Sequence, residues 1–175
     1  IFRMKYEIIG NSAQDPRICI LVPRIQTAEV QKHYYQPHLK ALGESVMIAD
    51  LFMDGTRKKN TAADMKEYLD DLLPNLKAAG IEMLVVTQPD YFKILSKKAK
   101  TDATIGDFFV SDYNTDFTIT YCPNYGRVFY DPDNMKKKIG MALESTKRWA
   151  KGDVSVVGEN IIKFADYPMT DTDIA

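Results

Sequence analysis

The sequence predicts an α/β domain, a three-layer sandwich in which helices cover both faces of a central, mainly parallel four-stranded sheet. Two observations predict it. Residues 17–22, 45–51 and 83–87 are short, mostly apolar runs of strand length, the pattern of strands buried on both faces. Segments with helical start and stop signals separate them, and strands alternating with helices pair in parallel through crossovers. A chain of 175 residues is long enough for one such core and short for two.

Each element has its own local cause. Residues 6–9 form a first strand candidate, closed by Gly10, Asn11 and Ser12; Gln14, Asp15 and Pro16 make a plain turn. After the strand at 17–22, Thr27 offers an N-cap for a helix running to about Leu42, and Gly43 stops it. Pro37 interrupts that helix and is expected to kink or split it. The strand at 45–51 leads into a polar loop opened by Asp54 and Gly55. Residues 61–79 are the clearest helix: Thr61 and Asp64 approximate a capping box, and Met65, Tyr68, Leu69, Leu72, Leu73 and Leu76 recur at helical spacing. Gly80 ends it. The strand at 83–87 is followed by a helix from Pro89 to about Lys100, with proline in its first turn. Residues 117–121 alternate as a further strand, and a last helix starts at Asp131–Pro132 and ends near Ala150, before Gly152.

Composition narrows the classes of function. Apolar residues at 45% and charged residues at 27% are ordinary globular values, which argues against a disordered chain. No apolar run approaches the roughly 20 residues of a membrane span. Met4 is the expected natural start, residues 1–3 an appended remnant, and 4–152 the domain. Residues 153–175 carry five acids against Lys163, a balance of −4 that leaves the rest near +3 within the chain's net −1. That positive charge gathers at Lys93, Lys97, Lys98 and Lys100, and at Lys136, Lys137, Lys138, Lys147, Arg148 and Lys151. Such clusters are either solvated helix faces or surfaces that meet phosphates. Cys19 and Cys122 are expected to be buried thiols in a reducing compartment.

No familiar catalytic constellation is present. His33 and His38, the only histidines, lie five apart with no carboxylate or cysteine at ligand spacing, so neither a metal nor a cofactor is expected. A Gly-rich phosphate loop, a serine nucleophile turn and paired acids are all lacking. Ligands of parallel sheets collect at the carboxyl ends of the strands, which points to the loops at 23–25, 50–60, 87–89 and 122–131. The last of these, taken through Pro132, joins two prolines, a glycine, Arg127 and three aromatics. It is either a loop folded back on the core or a DNA-probing loop with Arg127 on a phosphate. Phe92 and Leu95 are expected to pack inward while Lys93 and Lys97, at i and i+4, form a basic stripe.

Three passages together resemble the N-terminal region of bacteriophage family A DNA polymerases. They are Leu21-Val22-Pro23-Arg24-Ile25 with His33-Tyr34-Tyr35, Asp90-Tyr91-Phe92-Lys93 with Ser96-Lys97, and Cys122-Pro123-Asn124-Tyr125 through Phe129-Tyr130-Asp131-Pro132. Asp166-Tyr167-Pro168-Met169-Thr170 resembles the segment just before a 3′–5′ exonuclease domain, so 153–175 is expected to be an acidic tail leading towards it. The region in turn resembles the uracil-DNA glycosylase fold. By chain order, 23–25 takes the place of the turn with the water-activating Asp, and 122–124 that of the His-Pro-Ser loop. This chain lacks both groups: no Asp follows Val22 there, and Cys122 stands at the histidine's place.

The resemblance therefore implies a non-catalytic domain of a phage replicative polymerase, working in the cytoplasm of the infected bacterium. Its expected partners are single-stranded or primer–template DNA and the exonuclease and polymerase domains of the same parent chain, with no membrane. Candidate DNA-contacting residues are Arg24, Lys93, Lys97, Lys98, Asn124, Tyr125 and Arg127. Two alternatives stand beside it. One is a protein-interaction domain, with Trp149 and the acidic tail at the junction. The other is a divergent glycosylase using Asp50 or Asp54.

Overall fold

The computed structural model describes residues 4–10, 14–23, 35–51, 61–124 and 130–152. Six strands form one mixed sheet: β1 (Tyr6–Ile9), β2 (Ile18–Val22), β3 (Val46–Asp50), β4 (Met83–Val86), β5 (Phe109–Val110) and β6 (Thr118–Tyr121), in the order β1-β3-β2-β4-β6-β5. The expectation of four strands is thus too small. β3, β2, β4 and β6 pair in parallel, but β1 joins β3 and β5 joins β6 antiparallel, so each edge is a reversed strand.

Helices are residues 35–39 (α1), α2 (Ala62–Ala78), α3 (Pro89–Ser96) and α4 (Pro132–Ala150). Alternating side chains of the central strands feed two separate cores. Cys19, Leu21, Met47, Ala49, Leu84, Val86, Ile119 and Tyr121 pack with the apolar faces of α2 and α3. Ile18, Ile20, Val22, Val46, Ile48, Met83 and Val85 pack with Tyr35 and Leu39 and with Met135, Ile139, Ala142 and Leu143 of α4. Helices cover both faces, so β2 and β4 have no solvent side, which explains their unbroken apolar sequences.

The local chemistry of the elements is visible. Thr61 Oγ1 accepts from the Asp64 amide at 3.1 Å, and the Asp64 carboxylate accepts from the Thr61 amide at 3.4 Å, a complete capping box for α2. Pro132 occupies the first turn of α4. α3 ends four residues earlier than the sequence suggests. Lys97 takes a left-handed backbone at φ 57°, donating its amide to Lys93 O, while Leu95 O accepts from Ser111 Oγ and from the Asp112 and Tyr113 amides. Pro37 lies within α1; the kink or split it was expected to cause upstream falls outside the described residues.

The amino end of the sheet is tied together by Arg17. Its guanidinium donates to both carboxylate oxygens of Glu44 at 2.8 and 2.9 Å and to Ala150 O at 2.8 Å, and lies 4.7 Å from the centre of the Trp149 ring. The start of β2, the approach to β3 and the end of α4 therefore meet at one side chain. Trp149 is half-buried there.

Candidate site at the carboxyl rim of the sheet

The chain leaves β2 for β3 on one side and returns to β4 on the other, so its strand order reverses between β2 and β4. Their carboxyl ends form the switch point where sheets of this kind hold ligands. Thr87, buried and just past β4, donates its hydroxyl to Leu21 O of β2 at 2.8 Å and its amide to the same oxygen at 3.0 Å. Asn124, two residues beyond the buried Cys122, reaches the Thr87 hydroxyl through its amide nitrogen at 3.5 Å. One side chain from the β6 loop is thereby fixed over the junction of β2 and β4. Asn124 was expected at this rim; Thr87 lies in the 87–89 loop that the sequence pointed to, but it was not singled out as a contact residue.

The start of α3 faces the same rim. Gln88 Oε1 accepts from the Asp90 and Tyr91 amides at 2.7 and 3.1 Å, so this helix end is capped by its own chain. On the other flank, Tyr68 donates to Asp50 O at 2.6 Å and Tyr91 to Leu51 O at 3.4 Å, holding the exit of β3. Asp50 itself is buried at the carboxyl end of β3.

The predicted contact residues divide. Lys93 is exposed on α3, about 6 Å along the axis from Pro89 at 1.5 Å per residue. Lys97 and Lys98 belong to the opposite end of the sheet, because the end of α3 is bonded to the 111–113 turn that leads into β6. Lys98 Nζ sits 5.1 Å from the centre of the Phe109 ring. Lys93 and Lys97 are both exposed, but Lys97 is not in α3: it is the left-handed residue that closes the helix. Arg24, Tyr125 and Arg127 lie outside the described residues, as does Asp54.

Cys122 is fully buried, its Sγ 3.4 Å from Pro123 O, and it packs within the core beneath α4. Burial pushes its thiol well above the ordinary range, so it stays a neutral, weak donor turned away from solvent. Cys19 is likewise buried and neutral. Among the described residues no group of His, Cys, Asp and Glu is arranged to hold a metal ion, and no helix is long and apolar enough to cross a membrane. The fold and rim define a mixed α/β domain with a polar switch point. No family model and no curated protein matches the chain.

Proposed function

We propose that this chain is a non-catalytic N-terminal domain of a phage replicative DNA polymerase that contacts template or primer–template DNA at the carboxyl rim of its sheet. The observation that carries the reading is Cys122. At the point where the resembling glycosylases hold a histidine over the scissile bond, this chain has a thiol sunk in the core and kept neutral. A thiol there supplies little of the charge stabilisation that base release requires. The rim keeps polar groups suited to backbone contact, Asn124 beside Thr87 and the exposed Lys93; Arg24, Tyr125 and Arg127 join the reading from the sequence alone. Lys97 and Lys98, at the far end of the sheet, fall outside it. The host cytoplasm is the matching compartment, and the parent chain's exonuclease and polymerase domains are the matching neighbours.

The test is binding to fluorescent single-stranded and primer–template DNA at about 50 and 200 mM salt, the range in which phosphate contacts reveal themselves. Expected is salt-sensitive binding whose slope falls by about one unit on Lys93→Ala and again on Arg127→Ala. Lys97→Ala serves as the control and leaves it unchanged. No binding at 50 mM salt, or an equal loss from Lys97→Ala, overturns the reading.

A second reading draws on Asp50, a carboxylate buried at the carboxyl end of β3 where a reacting group could sit. A divergent glycosylase predicts base release from uracil-containing DNA that Asp50→Asn abolishes. No release sinks it.

A further inference from the structure

The outer edge of β1, which pairs with no further strand among the described residues, carries two of the few large apolar side chains exposed among them, Tyr6 at 52% and Ile8 at 41%. They sit opposite Ala49 and Met47 in the β1–β3 register, on the sheet face that α2 and α3 cover further in. Both therefore extend that core's apolar surface past the last helix and into solvent. Uncovered apolar residues along an unpaired strand are a template for another strand.

Backbone phase says which residues face outward. The Asp50 amide donates to Lys5 O at 2.9 Å, so Lys5 and Asp50 form a hydrogen-bonded pair, continuing the printed register by one residue. Antiparallel pairs alternate between bonded and non-bonded. Lys5, Glu7 and Ile9 thus turn their N–H and C=O towards β3, and Tyr6 and Ile8 turn theirs to the free edge.

We infer that this edge pairs with β1 of a second copy of the chain, antiparallel, about a two-fold axis through Tyr6. Outward-facing residues must meet outward-facing residues, which leaves a few registers. Pairing Tyr6 with the partner's Ile8 sets Glu7 against the partner's Glu7, a like-charge clash. Pairing Ile8 with the partner's Ile8 sets Tyr6 against the partner's Gly10, which lies past the end of the strand at Ile9 and turns the chain away with φ 99°. Pairing Tyr6 with the partner's Tyr6 opposes Ile8 to the partner's Met4 on the apolar face. On the other face it sets Lys5 against the partner's Glu7, twice by symmetry. Lysine at a sheet edge ordinarily discourages pairing. Here the alternation of Lys5 and Glu7 is self-complementary, so the same charges select one register instead of forbidding all. Two strands of this length bury less than the roughly 1,200 Å² of a standard interface, so the dimer forms and dissociates with concentration.

Sedimentation velocity on the chain from about 1 μM to about 1 mM reads this directly, over the range where weak association is resolved. The expected result is a monomer–dimer equilibrium that Lys5→Glu weakens at least tenfold, because two attractive pairs become repulsive, and that Lys5→Glu with Glu7→Lys restores. Thermal melts of dilute monomer show that each variant folds. Amide exchange at Tyr6 and Ile8 slows with concentration in the parent chain and not in Lys5→Glu. A monomer throughout overturns the inference, including one whose Tyr6 and Ile8 amides are already protected because the chain's own residues cover the edge. A dimer indifferent to Lys5→Glu overturns it equally.

Discussion

Replacing Arg17 by alanine separates three elements at once, and the structure sets the size of the loss. The guanidinium forms a two-pronged ion pair with Glu44, with side-chain exposures of 35% and 20%. Half-exposed pairs of good geometry contribute about 1 kcal/mol once solvent screening is allowed for. The bond to Ala150 O satisfies a carbonyl in the last turn of α4, which contributes about 1 kcal/mol. Stacking over Trp149 at 4.7 Å adds about 0.5 kcal/mol at a partly exposed site. Together Arg17→Ala costs about 2–3 kcal/mol. For a domain of this size that lowers Tm by roughly 5–10 °C. Urea unfolding followed by circular dichroism gives the free energy. Tryptophan fluorescence reports the same junction, since Trp149 is the chain's single tryptophan. Arg17→Lys discriminates the cause: it keeps the charge and loses the fork, and recovers less than half of the loss. A loss below about 0.5 kcal/mol for Arg17→Ala, the range of an ordinary surface substitution, refutes the clamp. Full recovery by Arg17→Lys refutes the geometric part of the argument.

Two further outcomes follow from the contact between α1 and α4. Burial and Lys147 hold the His38 imidazole below its ordinary value, against a smaller opposing effect of Glu144. The unfolded chain therefore binds this proton more readily, so stability is full above about pH 6.5 and falls as the solution is acidified towards the folded-state value. His38→Gln removes this part of the acid sensitivity in urea titrations at pH 5 and 7.5; an unchanged pH dependence contradicts it. Gly140 is helical, and an added Cβ meets His38 Cε1 at 3.3 Å. Alanine gains about 1 kcal/mol of helix propensity, and a ring that is only half-buried can shift by the few tenths of an ångström required. Gly140→Ala is expected to stabilise by about 0.5 kcal/mol, and by nearer 1 kcal/mol on a His38→Ala background. Equal effects on both backgrounds contradict the contact.

The central strands were legible because burial on both faces leaves an unmistakable mark: five consecutive buried residues in β2 and in β3 and four in β4 are apolar apart from Asp50. α2 was legible for the complementary reason, its large apolar residues Met65, Tyr68, Leu69, Leu72, Leu73 and Leu76 all falling on the covered side. The edges were not. Phe109 and Val110 make a strand of two residues, too short to display any period, and only pairing with Ile119 and Thr118 defines it. β1 was visible as a candidate, but nothing in its side chains says that it runs against β3. The end of α3 was missed because its left-handed residue is a lysine, where glycine would have signalled a stop. At the rim, Asn124 could be named from its loop. Its pairing with Thr87 could not, because their meeting depends on β4 lying between β2 and β6.

The same distinction changes the meaning of the basic clusters. A count of lysines and arginines along the chain treats them as equivalent, yet several near the amino end of the sheet are committed internally. Arg17 holds Glu44 and Ala150, Lys77 pairs with Asp116 at 2.9 Å, Arg148 donates to Gly106 O and stacks near Phe108, and Lys98 rests on Phe109. Lys138 and Lys147 of α4 likewise pair with Asp102 and Glu144. The exposed Lys93, and Lys136 and Lys137 in the early turns of α4, stand nearer the carboxyl ends of the strands, with Asp131 and Asp133 beside them. Cations spent on the fold contribute little to a phosphate-binding field, and neighbouring acids dilute the rest. The proposed DNA contact is accordingly weak and directional. Its salt dependence is expected to trace to Lys93 and to the sequence candidates Arg24 and Arg127, while substitutions at Arg17, Lys77 or Arg148 change stability without altering the salt slope.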